Sequence, residues 1–286
     1  MAAKERIFIM PVIEIKNEKL TVGIDTFGAE LKYVNGYVGT KFMWPGEVGV
    51  WKSTAPILFP FCGFFKDDTY EFRGKEYHLK GNGFANIKEF EVNLISDTKA
   101  EFSLLPDEET LNGYPFDFAF KVVFELVGNR LKTDYVITNN GDDIMPFGVG
   151  GHEGYYCPEG IEEYEVHFEK SVEGLVKDNV VLSGGGKVVP LKYEYFTGSL
   201  LFFENPEFSS ATLVHTKSNK KVHVDFKGSN HFLVWSKPGA KFLCLEPWYS
   251  YQISTYPNRD LEKVSGIVIL PAGETFVAPH WAEFSE

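Results

Sequence analysis

One histidine in this 286-residue chain stands where its imidazole has little side-chain cover: His152, in Phe147-Gly-Val-Gly-Gly-His152-Glu-Gly-Tyr-Tyr-Cys-Pro158. Glycines at that density let backbone approach a ligand closely. Imidazole titrates near neutrality, which suits a general acid; the plainer reading is a Gly-rich bulge whose histidine only satisfies backbone groups. A second candidate is Glu246, in Phe242-Leu-Cys-Leu-Glu-Pro-Trp-Tyr249. A carboxylate ending an apolar strand, with Pro247 expected to stop the ladder, would be partly desolvated and its pKa raised towards that of a useful base. Trp248 beside it offers a flat face on which a ring could stack. The plainer reading is a salt-bridged strand-end glutamate beside a core tryptophan. A third candidate is Asn82 in Gly81-Asn-Gly-Phe-Ala-Asn86, downstream of Ala55-Pro-Ile-Leu-Phe-Pro-Phe-Cys-Gly63. Between two glycines it reads first as a left-handed turn residue and second as an amide able to bond a ligand hydroxyl.

Other chemistries find less support. Ser183-Gly-Gly-Gly-Lys187 lacks the GxxxxGK[ST] frame and reads as a hairpin turn rather than a phosphate loop. There is no GxSxG elbow. His223 and Asp225 share a strand face and His231 follows, yet no HExxH or similar ligand spacing occurs, so no metal and no cofactor are expected. His78, His167, His215 and His280 sit among charged or turn residues and read as surface histidines. Cys62, Cys157 and Cys244 are odd in number, far apart and without a CxxC pair, as free thiols of a reducing cytoplasm would be.

Composition narrows the partners. With 28 Lys+Arg against 40 Asp+Glu the net charge is −12, and arginine occurs only at positions 6, 73, 130 and 259, which disfavours nucleic acid. An apolar content of 44% excludes disorder. Lys4 and Arg6 precede the run Ile7–Ile13, but Pro11 breaks it and Glu14 follows, so it is too short for a signal peptide. No stretch approaches ~18 uncharged apolar residues, so no membrane span is expected.

The elements that must position these residues are strands. Lys19–Ile24, Lys121–Val127, Lys132–Thr138 and Lys221–Phe226 are short β-branched and aromatic runs, and Lys121–Glu125 and Val222–Phe226 partly alternate apolar with polar. Turn residues separate them at Gly128-Asn129, Asn139–Asp142 and Ser218-Asn219. The best helical candidate, Leu200–Asn205, is short. Length alone suggests two domains, but this strand density points to one all-β domain over residues 1–286, a large antiparallel β-sandwich or barrel.

Taken in order, several segments resemble the aldose 1-epimerase (galactose mutarotase) family, especially its LacX-like bacterial branch. They are Thr26-Phe-Gly-Ala-Glu-Leu31, Phe42-Met-Trp44, Pro56-Ile-Leu-Phe-Pro60, Gly83-Phe-Ala85, Gly150-Gly-His152 with Tyr155 and Pro158, Leu245-Glu-Pro-Trp248, and Leu270-Pro-Ala-Gly-Glu274. The resemblance implies a β-supersandwich and cofactor-free interconversion of the α and β anomers of an aldose. Glu246 would take the anomeric hydroxyl proton and His152 would protonate the ring oxygen, the two meeting in space; a cleft between them about a monosaccharide wide would favour the enzyme. Two departures stand out. The family's usual "GR" after the FP segment is Gly63-Phe64 here, and its usual "HGFAR" is Asn82-Gly-Phe-Ala-Asn86. Phe64 and Asn82, with Trp248, are thus the expected substrate contacts in place of a cationic set. That favours a neutral free sugar over a phosphosugar, and leaves as the alternative a non-catalytic carbohydrate-binding or sensing protein.

Overall fold

A computed structural model describes residues 11–172, 186–198, 200–250 and 259–286, with the backbone of two short strands, Val176–Lys177 and Val180–Val181. The fold is all-β and antiparallel, a large sandwich. Its largest sheet has nine strands in the spatial order 186–190, 164–172, 210–215, 221–225, 275–285, 130–139, 118–127, 99–104 and 91–96. A six-stranded sheet faces it, in the order 201–204, 231–235, 242–249, 149–151 and 57–58, with 154–156 also paired to 242–249. A three-stranded meander, Val12–Lys16, Leu20–Asp25 and Leu31–Gly36, completes the main framework.

The large sheet follows from alternation. In Phe118–Val127 the even positions Phe118, Phe120, Val122, Phe124 and Leu126 are buried, and in Arg130–Asn139 the odd ones are, from Leu131 to Asn139. Their apolar faces meet those of the six-stranded sheet and the meander in one continuous cluster running from Ile15 to Phe284. Aromatic rings supply much of its bulk: Phe59 stacks on Phe120 at 4.5 Å, and Phe147 and Tyr249 both meet Phe276 edge-on. The chain's aromatic excess is therefore mostly core material.

Gly128-Asn129 and Ser218-Asn219 turn as expected, between 118–127 and 130–139 and between 210–215 and 221–225. Ser183 to Gly185, where a hairpin turn was expected, lie outside the described residues. Leu200–Asn205 is not helical. Leu201–Glu204 is an edge strand paired antiparallel with His231–Trp235, because ladder bonds to that neighbour outweigh a weak local preference. The one α-helix among the described residues is Glu108–Gly113, begun by a capping box between Asp107 and Thr110 that the sequence spells as Asp-x-x-Thr.

Candidate active site

The strand Phe242–Tyr249 lies at the centre of the six-stranded sheet, and all eight of its residues are buried. Its odd positions, Leu243, Leu245 and Tyr249, join the main core. Its even positions, Phe242, Cys244, Glu246 and Trp248, point away from it. Phe242 and Cys244 belong to one small apolar cluster and Trp248 to another, with Glu246 between them. A carboxylate thus interrupts an apolar stripe.

Pro247 does not end this strand. Leu245 donates its N–H to the Glu153 carbonyl, so by alternation Pro247 turns its missing N–H to the same side. There the neighbouring ladder is itself broken. Val149–Gly151 pairs with the strand through Gly150↔Trp248, and Gly154–Tyr156 through Gly154↔Cys244, with no pairing at 152–153. The register is the same on both sides of the break. His152 therefore falls directly opposite Glu246, on the same face. Its Nδ1 lies 3.3 Å from Glu246 Oε1.

The glycines around His152 make room for its neighbours. A Cβ at Gly150 would stand 2.5 Å from the Trp248 indole, and one at Gly154 would stand 2.6 Å from that of Trp51. Trp51 lies 5.0 Å from the His152 ring, and Trp235 meets it edge-on at 5.4 Å. Trp51, Trp235 and Phe242 contact one another as well. These two half-buried indoles form the aromatic wall beside the histidine. Trp248, expected to offer a stacking face, is only 4% exposed and packs with Leu58, Cys62 and Leu233 instead. Nor is there a monosaccharide-wide cleft between His152 and Glu246. They are cross-strand neighbours, and a ligand would lie over both.

Burial governs the electrostatics. Desolvation pushes the Glu246 carboxyl well above its usual range, the nearby Glu153 charge adds to the rise, and Trp248 partly opposes it. Desolvation lowers His152 to about 4, with the Glu153 charge acting the other way. Neither His152 Nδ1 nor Glu246 Oε2 has a hydrogen-bond partner among the described residues. Two polar groups are thus held dry and unsatisfied. That is costly unless a ligand completes them.

On the opposite face of the same segment, Glu153 points into the sandwich. Gly151 leaves room for its carboxylate, and His280 Nε2 lies 2.9 Å from Glu153 Oε1. His280 is 4% exposed and its ring lies 5.2 Å from that of Tyr135, so it is no surface histidine. The signal was present: in Thr275–Ser285 the even residues Ala278, Ala282 and Phe284 are buried, and His280 keeps their phase. His215 is also largely covered, against Tyr164, whereas His78 and His167 are more open.

The remaining candidates lie on neighbouring loops. Asn82 adopts a left-handed φ of 64°, and its Oδ1 accepts from the Gly63 N–H at 2.8 Å, so it serves the turn expected of it. Its Nδ2 donors and the second lone pair of Oδ1 remain for a ligand hydroxyl. Phe64 is 58% exposed and its Cβ packs against Gly81. The Gly83-Phe-Ala85 segment is pinned where Phe84 and Ala85 donate to the Phe59 carbonyl. Arg73, Arg130 and Arg259 pair with Asp143, Glu283 and Asp67 respectively, so no described arginine is free for an anionic substrate. As for metal donors, His152, Cys244 and Glu246 form the one such group among the described residues, their donor atoms lying within 4.8 Å of one another.

With this geometry in hand, comparison with known proteins is direct. The aldose 1-epimerase family profile matches residues 11–275. The chain belongs to that family. It is 29% identical to the plasmid-encoded protein LacX of Lactococcus lactis subsp. lactis, over 87% of this chain and 91% of that protein. Among solved structures it resembles a galactose mutarotase related enzyme from Lactobacillus acidophilus, with a TM-score of 0.88 and 28% identity over 96% of this chain and 98% of the other. A galactose mutarotase-like protein from Lactobacillus casei gives a TM-score of 0.86 and 25% identity, over 96% and 100%. No helix among the described residues is long and apolar enough to cross a membrane.

Proposed function

We propose that this aldose epimerase family member is a cytoplasmic enzyme that interconverts the α and β anomers of a neutral, free monosaccharide, with Glu246 as base and His152 as acid. The observation that carries the proposal is their placement as direct cross-strand neighbours, Nδ1 to Oε1 3.3 Å. Mutarotation moves protons at two oxygens that share one carbon, the anomeric hydroxyl and the ring oxygen. An acid and a base this close can both reach the two oxygens of one carbon from a ligand lying over the pair.

The proton count closes. Glu246 takes the anomeric hydroxyl proton while His152 delivers one to the ring oxygen. The C1–O bond to the ring oxygen breaks and the exocyclic C1–O bond becomes a carbonyl. Rotation about C1–C2 presents the other carbonyl face, and both transfers reverse. After ring opening the pair is a neutral acid beside a neutral imidazole, the same state that burial favours in the empty site. Hydrogen bonds from sugar hydroxyls would stabilise the charged alternative, with the proton on His152, that begins the cycle. One proton thus serves both directions. Each transfer of this kind typically contributes 10²–10⁴-fold.

Trp51 and Trp235 supply apolar ring faces, and Phe64 with Asn82 Nδ2 remain as contacts from the loop side, while Trp248 acts from beneath by packing on Gly150. The paired arginines argue for a neutral sugar. A binding or sensing role is the second reading, favoured by Phe64 and Asn82 standing where the family usually keeps an arginine and a histidine. Polarimetry of freshly dissolved α-anomers across a panel of aldoses separates the two. Accelerated relaxation that is lost in Glu246→Gln supports the enzyme. Unchanged rates together with calorimetric sugar binding support the sensor, and turnover retained in Glu246→Gln removes the assigned base.

A further inference from the structure

The cysteines and histidines show no ligand spacing along the chain, so no metal is expected from the sequence alone. The fold nevertheless gathers a thiol, an imidazole and a carboxylate on one face. Cys244 and Glu246 are two apart on a strand, so they project together, and the interrupted neighbour brings His152 opposite. Their donor atoms lie within 4.8 Å of one another. In a tetrahedral shell built on ordinary zinc bond lengths, donors sit roughly 3.3–3.8 Å apart. His152 and Glu246 already meet that spacing at 3.3 Å. The longest separation needs to close by about 1 Å, within reach of side-chain rotation.

A second observation makes this more than a coincidence of donors. Glu246 is 2% exposed, and its Oε2, like His152 Nδ1, is buried without a hydrogen-bond partner among the described residues. Among the described residues no lysine or arginine lies within ion-pair distance of Glu246; its one such neighbour is His152. A buried carboxylate beside a soft sulfur donor suits a thiophilic divalent cation, which a neutral sugar is not.

We propose that His152, Cys244 and Glu246 form a binding site for a thiophilic divalent cation such as Zn²⁺, and that the ion excludes the sugar by occupying the same two groups. On binding, the Cys244 S–H and Glu246 carboxyl O–H bonds break, thiolate–metal and carboxylate–metal bonds form, and both protons leave to solvent. A water would fill the fourth position. Metal capture stands independently of the epimerase reading; only its inhibitory consequence rests on it.

Cobalt(II) reports on such a site directly. Titrating the whole protein with Co²⁺ should produce a thiolate-to-cobalt charge-transfer band and intense visible bands of tetrahedral type, and Zn²⁺ should abolish both. Cys244→Ser should lose the charge-transfer band and weaken Zn²⁺ inhibition at least about tenfold while keeping mutarotation. Cys244→Ala serves if the serine variant fails to fold, as judged by thermal melting. A substrate sugar should displace the cobalt signal competitively. A band that survives in both Cys244 variants, no band in the wild type, or zinc inhibition that sugar does not relieve would each overturn the proposal. A protein that binds cobalt at Cys244 yet turns over no sugar would keep the metal site and reject the epimerase reading.

Discussion

Two buried histidine–glutamate pairs occupy opposite faces of one short segment, and they differ in whether the two partners hydrogen-bond one another. His280 and Glu153 lie 2.9 Å apart in hydrogen-bonding geometry, backed by Tyr135 inside the sandwich. His152 and Glu246 lie 3.3 Å apart without that geometry, although in both pairs each residue keeps one buried atom, Glu153 Oε2 and His280 Nδ1 included, unpartnered among the described residues. The same two residue types thus do different work on the two faces. The inner pair closes on itself and ties the last strand to the six-stranded sheet. The outer pair is left open, dry and walled by indoles, which is how a protein prepares groups for a ligand rather than for itself.

The contrast breaks most sharply on activity. His152→Gln should lower kcat by ~10²–10⁴-fold and leave the melting temperature nearly unchanged, since its polar contacts are few. Polarimetry and a thermal melt on one sample check both. Activity within tenfold of wild type would make the open pair as structural as the closed one.

Stability should show the reverse. His280→Leu strands Glu153 as an uncompensated buried charge, a loss of about 3–5 kcal/mol. At roughly 2–4 °C per kcal/mol for larger domains, the melting temperature should fall by about 10 °C. Adding Glu153→Met removes the stranded charge and should recover most of the loss. If the double variant melts no higher than the single one, the inner pair is not what holds the strand.

The pairs also differ in how pH reaches them. Glu246 is raised from 4.5 in the folded protein, so above that pH the folded chain holds a proton the unfolded chain has released. Its stabilising contribution is complete below pH 4.5 and is lost as pH rises through the folded value. His152 is lowered from 6.5 to about 4, so its contribution has the opposite slope, lost as pH falls from 6.5 to about 4. Glu246→Gln deletes only the first effect. Urea unfolding should find that variant more stable than wild type at alkaline pH, the gap closing in acid at no more than about 1.4 kcal/mol per pH unit. A gap independent of pH would mean that Glu246 titrates as an exposed carboxyl does.

Much of this was legible before any fold was known, and the illegible part has a physical reason. Strand alternation gave the class, and the glycine run and the apolar run gave His152 and Glu246. What could not be read was that Val149–Gly151 and Gly154–Tyr156 keep one register across an interruption, which makes the two groups neighbours. That depends on pairings between residues about a hundred positions apart. Trp51 and Trp235 were missed because an aromatic carries no local mark of whether it lines a site or fills a core. Trp248 was misjudged for the same reason. His280 was legible but overlooked: it keeps the buried phase of its strand, and only its charged neighbours suggested the surface.

The smallest effect tests the wall itself. Trp51 touches the His152 ring and also Trp235 and Phe242, so it could act as a sugar-facing surface or only as packing that steadies the imidazole. Trp51→Phe retains an aromatic face but shortens it, and aromatic pairs are worth about 0.5–1.5 kcal/mol beyond their burial. If the indole faces the sugar, KM should rise by about two- to tenfold with kcat nearly constant, because the contact is made equally in the ground and transition states. If it only steadies His152, kcat should fall while KM holds. Either split separates the open pair's wall from the closed pair's support, since Tyr135→Phe beside His280 should move neither constant.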